Sequence, residues 1–202
     1  MKDWTGNKST AFVTLGASNH SKDERQNEDY YATDPHAVEK LLEVETFNKN
    51  IWECAVGGGH IANVLIKNLY NVKASDIVDR CFPNTEIIDF LKLGGFSDNI
   101  TNFDGDIITN PPYKYAKEFV EKSLEIINDG NKVAMLLKIQ FLESEKRKEL
   151  FEKYPPKKIY VFRNRIDCWK NGEKPKKQSK AVCYAWYIWK KGYKGETILR
   201  WI

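Results

Sequence analysis

The sequence Ile51-Trp52-Glu53-Cys54-Ala55-Val56-Gly57-Gly58-Gly59-His60 passes from an apolar segment through three consecutive glycines into a segment with helical spacing. Residues 51–55 predict a buried strand, and apolar side chains over residues 60–69 recur on one face of a helix. A strand that runs through a glycine-rich turn into a helix is the repeating unit of an open α/β sheet. This stretch therefore predicts an α/β protein whose sheet is mainly parallel.

The flanking segments extend the same alternation. Upstream, Thr33 or Asp34 is suited to cap a helix whose first turn contains Pro35. Downstream, apolar runs predict strands at residues 72–77, 87–91, 106–109 and 133–137, with helices at 114–128 and 144–153, the second capped by Ser144. The last two strands, 159–162 and 182–189, have no helix between them, which predicts an antiparallel hairpin. We therefore expect seven strands, mainly parallel with an antiparallel last strand, and helices on both faces.

Length and composition fit one folded domain. Of 202 residues, 42% are hydrophobic and 13% aromatic, which supplies a core and argues against disorder. We expect a polar arm at residues 1–30 and a single domain at 31–202, with no separate recognition domain. The 4 cysteines are scattered, so neither a disulfide framework nor a metal site is expected. Neither a signal peptide nor a long apolar run is present, which predicts a cytoplasmic protein.

The glycine turn is a candidate ligand site. Ligands of open α/β sheets bind at the carboxyl ends of the strands, where glycines let the backbone approach them closely. The amino end of the following helix offers N–H donors to a carboxylate, and Asp76, after the next strand, is placed to accept hydrogen bonds from ribose hydroxyls. The spacing is not that of the G-x-G-x-x-G dinucleotide fingerprint, and a tight strand–helix junction would explain the glycines equally well.

The run Asp106-Ile107-Ile108-Thr109-Asn110-Pro111-Pro112-Tyr113 is the most specific motif in the chain. Two prolines fix the backbone and remove two N–H donors, so the turn presents acceptors. The Asn110 side-chain oxygen and the Pro111 carbonyl can accept both hydrogens of a planar amine, and Tyr113 can stack on the ring that carries it. This pattern favours a site for an aromatic or amide amine over a turn that only ends a strand.

With these motifs the sequence resembles the amino-methyltransferases, most closely the small phage-type adenine-N6 DNA methyltransferases. The resemblance spans residues 15–202 and rests on four pieces in the family's order: residues 30–35, 53–59, 89–91 and 110–113. It implies a Rossmann-like class I fold, S-adenosylmethionine as cofactor, no metal, and duplex DNA as partner, with the target adenine flipped into the site. At position 54 cysteine stands where relatives often have proline, and at 56 valine stands where a small residue is common.

The resemblance also implies roles for individual residues. The catalytic residues that it implies are Asn110, Pro111, Pro112 and Tyr113. The cofactor-binding residues that it implies are Tyr31, Thr33, Glu53, Ala55, Gly57, Gly59, Asp76, Asp89, Phe90 and Asn110. Among them, Asp76 is expected to hold the ribose and Asp89 the adenine amine of the cofactor.

A basic segment at residues 163–180 lies between the last two predicted strands. Lysines and arginines far outnumber its two acids, and a tryptophan is available for stacking, which favours contact with nucleic acid over a merely solvated loop. The residues proposed to contact DNA are Arg163, Arg165, Trp169, Lys170, Lys174, Lys176, Lys177 and Lys180.

Other functions remain open on the sequence alone. The same acceptor motif serves methylation of an RNA base or of a protein glutamine. A methyltransferase fold that binds nucleic acid without turnover has no need of an intact Asn-Pro-Pro-Tyr motif. A nicotinamide-dependent oxidoreductase would show a fuller glycine fingerprint.

Overall fold

The computed structural model describes residues 30–94, 102–170 and 182–202 of the chain. The strands are β1 (Tyr31–Thr33), β2 (Asn50–Glu53), β3 (Asn71–Asp76), β4 (Glu86–Ile87), β5 (Asp106–Thr109), β6 (Lys132–Lys138), β7 (Lys158–Val161), β8 (Cys168–Lys170), β9 (Tyr184–Lys190) and β10 (Ile198–Trp201). The helices are α1 (Pro35–Val44), α2 (His60–Lys67), α3 (Ala116–Ile126) and α4 (Lys148–Lys153).

Eight of the strands form one sheet in the order β10-β7-β9-β6-β5-β2-β3-β4. Within this sheet β9 runs antiparallel to both of its neighbours, and all other neighbouring pairs are parallel. The predicted α/β class, the mainly parallel sheet and the antiparallel hairpin strand are therefore confirmed. The chain builds outward from β2 through β3 to β4 and then returns to β5 on the other side of β2. The strand order thus reverses between β2 and β5, which is the switch point where such sheets bind ligands.

Alternate residues of the central strands pack into two cores, one on each face of the sheet. Ile51 lies in the core beneath α1 and α2, whereas its neighbour Trp52 lies in the core beneath α3. In the same way, Ile108 lies in the core beneath α1 and α2, and Ile107 lies in the core beneath α3. Burial on both faces explains why these strands read as nearly continuous apolar runs.

The predicted caps are present, although several elements are shorter than expected. The side chain of Asp34 accepts a hydrogen bond from the backbone N–H of His36 and begins α1. The strand predicted at 87–91 is instead the two-residue β4 followed by a 3₁₀ turn, Phe90–Lys92. Asp89 ends the strand early because its carboxylate accepts the N–H of Leu91, which offers the backbone an alternative to the sheet. Helices α3 and α4 are likewise preceded by single 3₁₀ turns, the second capped by Ser144.

Two features were not predicted. Strand β10 extends the sheet to eight strands rather than seven, pairing with β7 at the outer edge. The second feature is a separate antiparallel ribbon of β1 with β8, in which Thr33 lies opposite Cys168. The ribbon joins the segment before α1 to the beginning of the basic segment.

An ionic cluster fastens α1 to the amino-terminal edge of the sheet. The carboxylate of Glu45, the residue after α1, accepts hydrogen bonds from Lys132 Nζ at 2.6 Å, Lys158 Nζ at 2.8 Å and the Tyr160 hydroxyl at 2.8 Å. Lys132 and Lys158 are the first residues of β6 and β7. The cluster therefore lies at the opposite end of the strands from the glycine turn.

Candidate active site

A cavity of about 550 Å³ opens at the carboxyl ends of the central strands. Six of the ten proposed cofactor-binding residues line it: Tyr31, Ala55, Asp76, Asp89, Phe90 and Asn110. Residues of the Asn-Pro-Pro-Tyr turn thus meet Cys54 and Ala55, which lead into the glycine turn, at one edge of the sheet. The volume lies within the range of roughly 300–1,000 Å³ typical of small-molecule sites.

The glycine turn is closely covered by two aromatic rings. Gly57 and Gly59 have φ angles of +52° and +78°, which side chains other than glycine rarely adopt. A Cβ atom at Gly57 would lie 2.2 Å from the ring of Tyr30, and one at Gly59 would lie 1.9 Å from the ring of Phe82. The turn therefore requires glycine at both positions for its conformation and for its packing.

Protein groups already accept two of the N–H donors of this turn. The N–H of Gly57 donates to Asp76 Oδ2 at 2.8 Å, and that of Gly58 donates to the Tyr30 hydroxyl at 2.9 Å. The same hydroxyl lies 3.2 Å from Nδ1 of His60, whose pKa is lowered by burial. These two N–H groups are thus used to hold Asp76 and Tyr30 in place.

Glu53 lies beneath the turn rather than in the cavity wall. Its side chain is 1% exposed, and the carboxylate accepts a hydrogen bond from the backbone N–H of Ala62 in the first turn of α2. Burial raises the pKa of Glu53 well above its usual range, since this one backbone hydrogen bond does not offset the loss of solvent.

The two acidic residues of the cavity sit beside apolar surface. Asp76 Oδ1 accepts the N–H of Val78 at 3.0 Å, and Asp89 forms an ion pair with Lys92 at 3.0 Å. Ile77, next to Asp76, is 63% exposed and lines the cavity. Exposed aliphatic groups beside carboxylates suit a ligand with a flat apolar ring and neighbouring polar groups.

Phe90 forms part of the cavity floor and of the core. Its ring stacks on Phe119 at 5.1 Å and meets the edge of Trp52 at 5.5 Å between ring centroids. The floor of the cavity is therefore a rigid aromatic group rather than a mobile side chain.

The Asn110 amide has two differently placed ends. Its Nδ2 donates to the Tyr31 carbonyl and to the Thr33 hydroxyl, each at 3.1 Å. Its Oδ1 is buried and has no hydrogen-bond partner. A carbonyl oxygen can only accept, so the Tyr31 carbonyl requires the nitrogen of Asn110 at that position. The remaining oxygen is thereby presented as an acceptor at the edge of the cavity.

The rest of the motif is rigid. Pro111 is buried, and Pro112 lines the cavity. The ring of Tyr113 lies 5.9 Å from that of Tyr31 and 6.0 Å from that of Tyr184, with Lys138 Nζ 5.0 Å from its centre. Burial raises the pKa of the Tyr113 hydroxyl, so this residue is held neutral within an aromatic group.

The basic segment is only partly within the described residues. Arg163 and Arg165 are exposed. Trp169 belongs to β8, and its ring meets that of His60 edge-on at 6.3 Å, so it packs beside the glycine turn. The backbone of Lys170 pairs with Tyr31. The remaining proposed DNA contacts lie outside the described residues: Lys174, Lys176, Lys177 and Lys180.

Two residues that line the cavity were not recognised as site residues from the sequence. Arg80 and Tyr115 line the cavity, and the guanidinium of Arg80 lies 4.4 Å from the ring centre of Tyr30. Arg80 sits in an irregular loop and Tyr115 follows the motif without belonging to it, so only the folded chain brings them to the site.

Neither a membrane-spanning helix nor a metal cluster is found in the described part of the chain. None of its helices is long and apolar enough to cross a membrane. Within residues 30–94, 102–170 and 182–202, no group of three or more His, Cys, Asp or Glu side chains is placed to hold a metal ion.

Several solved structures with the same architecture are described as methyltransferases. A protein assigned as the modification subunit of a type I restriction enzyme from Vibrio vulnificus YJ016 aligns with a TM-score of 0.58 and 13% identity over 83% of this chain. A protein assigned to the class I S-adenosylmethionine-dependent methyltransferases of Listeria monocytogenes aligns with a TM-score of 0.55 and 15% identity over 96% of this chain and 72% of that one. The chain has the class I methyltransferase fold.

A third structure with this fold, a protein predicted to be an O-methyltransferase from Agrobacterium tumefaciens, aligns with a TM-score of 0.61 and 13% identity over 83% of this chain and 85% of its own. This chain spans 45% of the Vibrio vulnificus protein, less than half of its length. No family model and no curated protein matches the sequence. The class I fold predicted from the resemblance is confirmed.

Proposed function

We propose that this protein is an S-adenosylmethionine-dependent methyltransferase that methylates the exocyclic N6 amine of adenine in DNA. The observation that carries the proposal is the Asn110 amide, whose nitrogen is bonded to the Tyr31 carbonyl and whose buried oxygen has no partner. A buried acceptor without a donor is unfavourable by roughly 1–3 kcal/mol, and a substrate N–H would remove that penalty.

The cavity fits the proposed cofactor. Asp76 at the end of β3 is positioned for ribose hydroxyls, and the exposed Ile77 offers an apolar surface for an adenine ring, with Asp89 near its amine. S-adenosylmethionine supplies an electrophilic methyl group. The fold places the Asn110 amide beside this cavity, so a target amine bound there would face the ligand's reactive end.

The motif would activate the amine by accepting its hydrogens. The N6 lone pair of adenine is delocalised into the ring and is a weak nucleophile. Hydrogen bonds from its two N–H groups to Asn110 Oδ1 and the Pro111 carbonyl would favour a tetrahedral nitrogen and stabilise the charge that develops during transfer. The two prolines fix the backbone of the turn, and with it the Pro111 carbonyl, before the substrate arrives.

DNA is the substrate that the chain's charge favours. The segment at residues 163–180 contains many lysines and arginines, which suit phosphate contacts that position a nucleic acid without reading its sequence. The shared fold with a protein assigned as a restriction-enzyme modification subunit is in keeping with this choice. We expect methylation of adenines in short or degenerate contexts, with affinity falling steeply as salt rises.

Radiolabelled methyl transfer to DNA, RNA and protein, measured in parallel, tests the substrate class. The proposal predicts label in DNA at a rate at least about tenfold above that in RNA or protein, a preference equivalent to about 1.4 kcal/mol. Preferential labelling of RNA or of protein glutamine would contradict the DNA assignment while keeping the methyltransferase assignment. Absence of label in all three would contradict both.

A further inference from the structure

The position of Thr33 does not fit the cofactor-binding role that the resemblance implies for it. The resemblance assigns Thr33 to the cofactor, yet its side chain is 2% exposed and its hydroxyl accepts a hydrogen bond from Asn110 Nδ2 at 3.1 Å. Tyr31, two residues earlier, lines the cavity and also accepts from this nitrogen through its carbonyl. Strand β1 therefore meets the Asn110 amide with two acceptors.

An asparagine side chain needs such contacts to act as an acceptor of fixed direction. Rotation of the amide by half a turn exchanges its oxygen and nitrogen at little intrinsic cost, and the nitrogen would then offer donors to a substrate amine instead of an acceptor. The Tyr31 carbonyl selects the correct end of the amide because it can only accept. The Thr33 hydroxyl, at the same distance, occupies the second N–H and fixes the amide plane.

The ribbon holds Thr33 rigidly in this position. Thr33 pairs with Cys168 of β8, and the adjacent Asp34 N–H donates to the carbonyl of Asp167 at 3.3 Å. Strand β1 is thus fixed by the beginning of the basic segment, whose Cys168 Sγ also lies 4.0 Å from Asn110 Nδ2.

We propose that Thr33 is a positioning residue, which fixes the Asn110 amide with its oxygen towards the target amine, and is not a cofactor contact. This inference rests on the proposed methyltransferase function. It predicts that loss of the Thr33 hydroxyl slows the methyl-transfer step while cofactor affinity stays unchanged, because the freed N–H lets the amide leave its productive orientation.

The test compares Thr33→Val, which keeps the shape and removes the hydroxyl, with Thr33→Ser, which keeps the hydroxyl. Thr33→Val should lower kcat on duplex DNA about 10-fold or more, equivalent to about 1.4 kcal/mol. The calorimetric affinity for S-adenosylhomocysteine should stay within about 2-fold, which is less than about 0.5 kcal/mol. Thr33→Ser should recover most of kcat. Thr197→Val is the matched control, since it removes a threonine hydroxyl that donates to the Pro156 carbonyl at the far edge of the sheet.

Three outcomes would overturn the proposal: wild-type kcat in Thr33→Val, a loss of cofactor affinity in place of kcat, or no recovery in Thr33→Ser. A measurement that needs no turnover tests the positioning role of Thr33 independently of the proposed function. The side-chain amide protons of Asn110, observed by NMR in the full chain, should exchange slowly in the wild type and in Thr33→Ser and faster in Thr33→Val. Equal exchange in all three contradicts the positioning role even if no substrate is ever methylated.

Discussion

Replacing Glu45 with glutamine should destabilise the protein by about 3 kcal/mol at neutral pH and leave the active site intact. The change removes the negative charge of the cluster that joins α1 to the first residues of β6 and β7. It leaves Lys132 and Lys158, which are 18% and 28% exposed, without their common anion. Because this cluster lies at the opposite end of the strands from the cavity, the substitution should lower the stability of the protein without lowering its activity.

The magnitude follows from the pKa of Glu45. Burial alone raises this pKa, but hydrogen bonds from Lys132, Lys158 and Tyr160 outweigh it and lower the pKa from 4.5 to about 2. The difference of about 2.5 corresponds to about 3.4 kcal/mol in favour of the ionised carboxylate, and the side chain is buried enough that solvent screens little of it. The folded-state pKa lies below the unfolded one, so this stabilisation is complete above about pH 5 and is lost as the pH falls towards 2. At pH 3 about 1.4 kcal/mol of it should remain.

Urea unfolding followed by tryptophan fluorescence at pH 7 and pH 3 measures both values. The matched control is Glu43→Gln on the same helix, since the Lys40–Glu43 pair is 34% and 58% exposed and should contribute less than about 0.5 kcal/mol. A free energy of unfolding for Glu45→Gln within about 1 kcal/mol of the wild-type value at pH 7 would contradict this prediction. The prediction also fails if Glu45→Gln lowers the free energy of unfolding by the same amount at pH 3 and at pH 7.

Further predictions concern the site itself. Asp76→Ala and Asp89→Ala should each weaken S-adenosylmethionine binding by roughly 1–3 kcal/mol in calorimetric titrations, and unchanged affinity in both would contradict their assignment. Gly57→Ala should abolish cofactor binding because its Cβ would lie 2.2 Å from the neighbouring tyrosine ring, whereas Gly94→Ala, with φ +87° and its nearest contact at 3.6 Å, should not. Replacing the four lysines within residues 174–180 by serine should weaken DNA binding and leave cofactor affinity unchanged. The slope of log affinity against log salt concentration should become shallower by about 0.9 for each phosphate that is no longer neutralised. A salt dependence equal to that of the wild type would show that these lysines do not bind phosphate.

Local signals predicted most of the fold. The glycine turn at 57–59 and the run ending at Asn110 each combine a buried strand with a conformationally restricted turn, so short-range sequence sufficed to place them at strand ends. The alternation of Ile107 and Ile108 between two cores matches a strand buried on both faces, which a continuous apolar run indicates.

Long-range pairing and exposed edges were not predictable in this way. Strand β10 was missed because all four of its residues are exposed, so no buried face marks it in the sequence. The ribbon of β1 with β8 joins two three-residue segments, 31–33 and 168–170, that are far apart in the chain and too short to show a period. Thr33 owes its contact with Asn110 to that ribbon, and therefore its motif alone could not indicate it.

Nucleoside analysis of DNA after incubation with S-adenosylmethionine shows whether the protein methylates N6 of adenine and whether Asn110 is required. Duplex DNA of mixed sequence is treated with the wild type or with Asn110→Ala, digested, and examined by mass spectrometry, while cofactor affinity is measured on the same preparations. We expect N6-methyldeoxyadenosine from the wild type and none above background from Asn110→Ala, with cofactor binding by the variant largely intact. Methylated cytosine without methylated adenine, or equal methylation of adenine by Asn110→Ala, would contradict it.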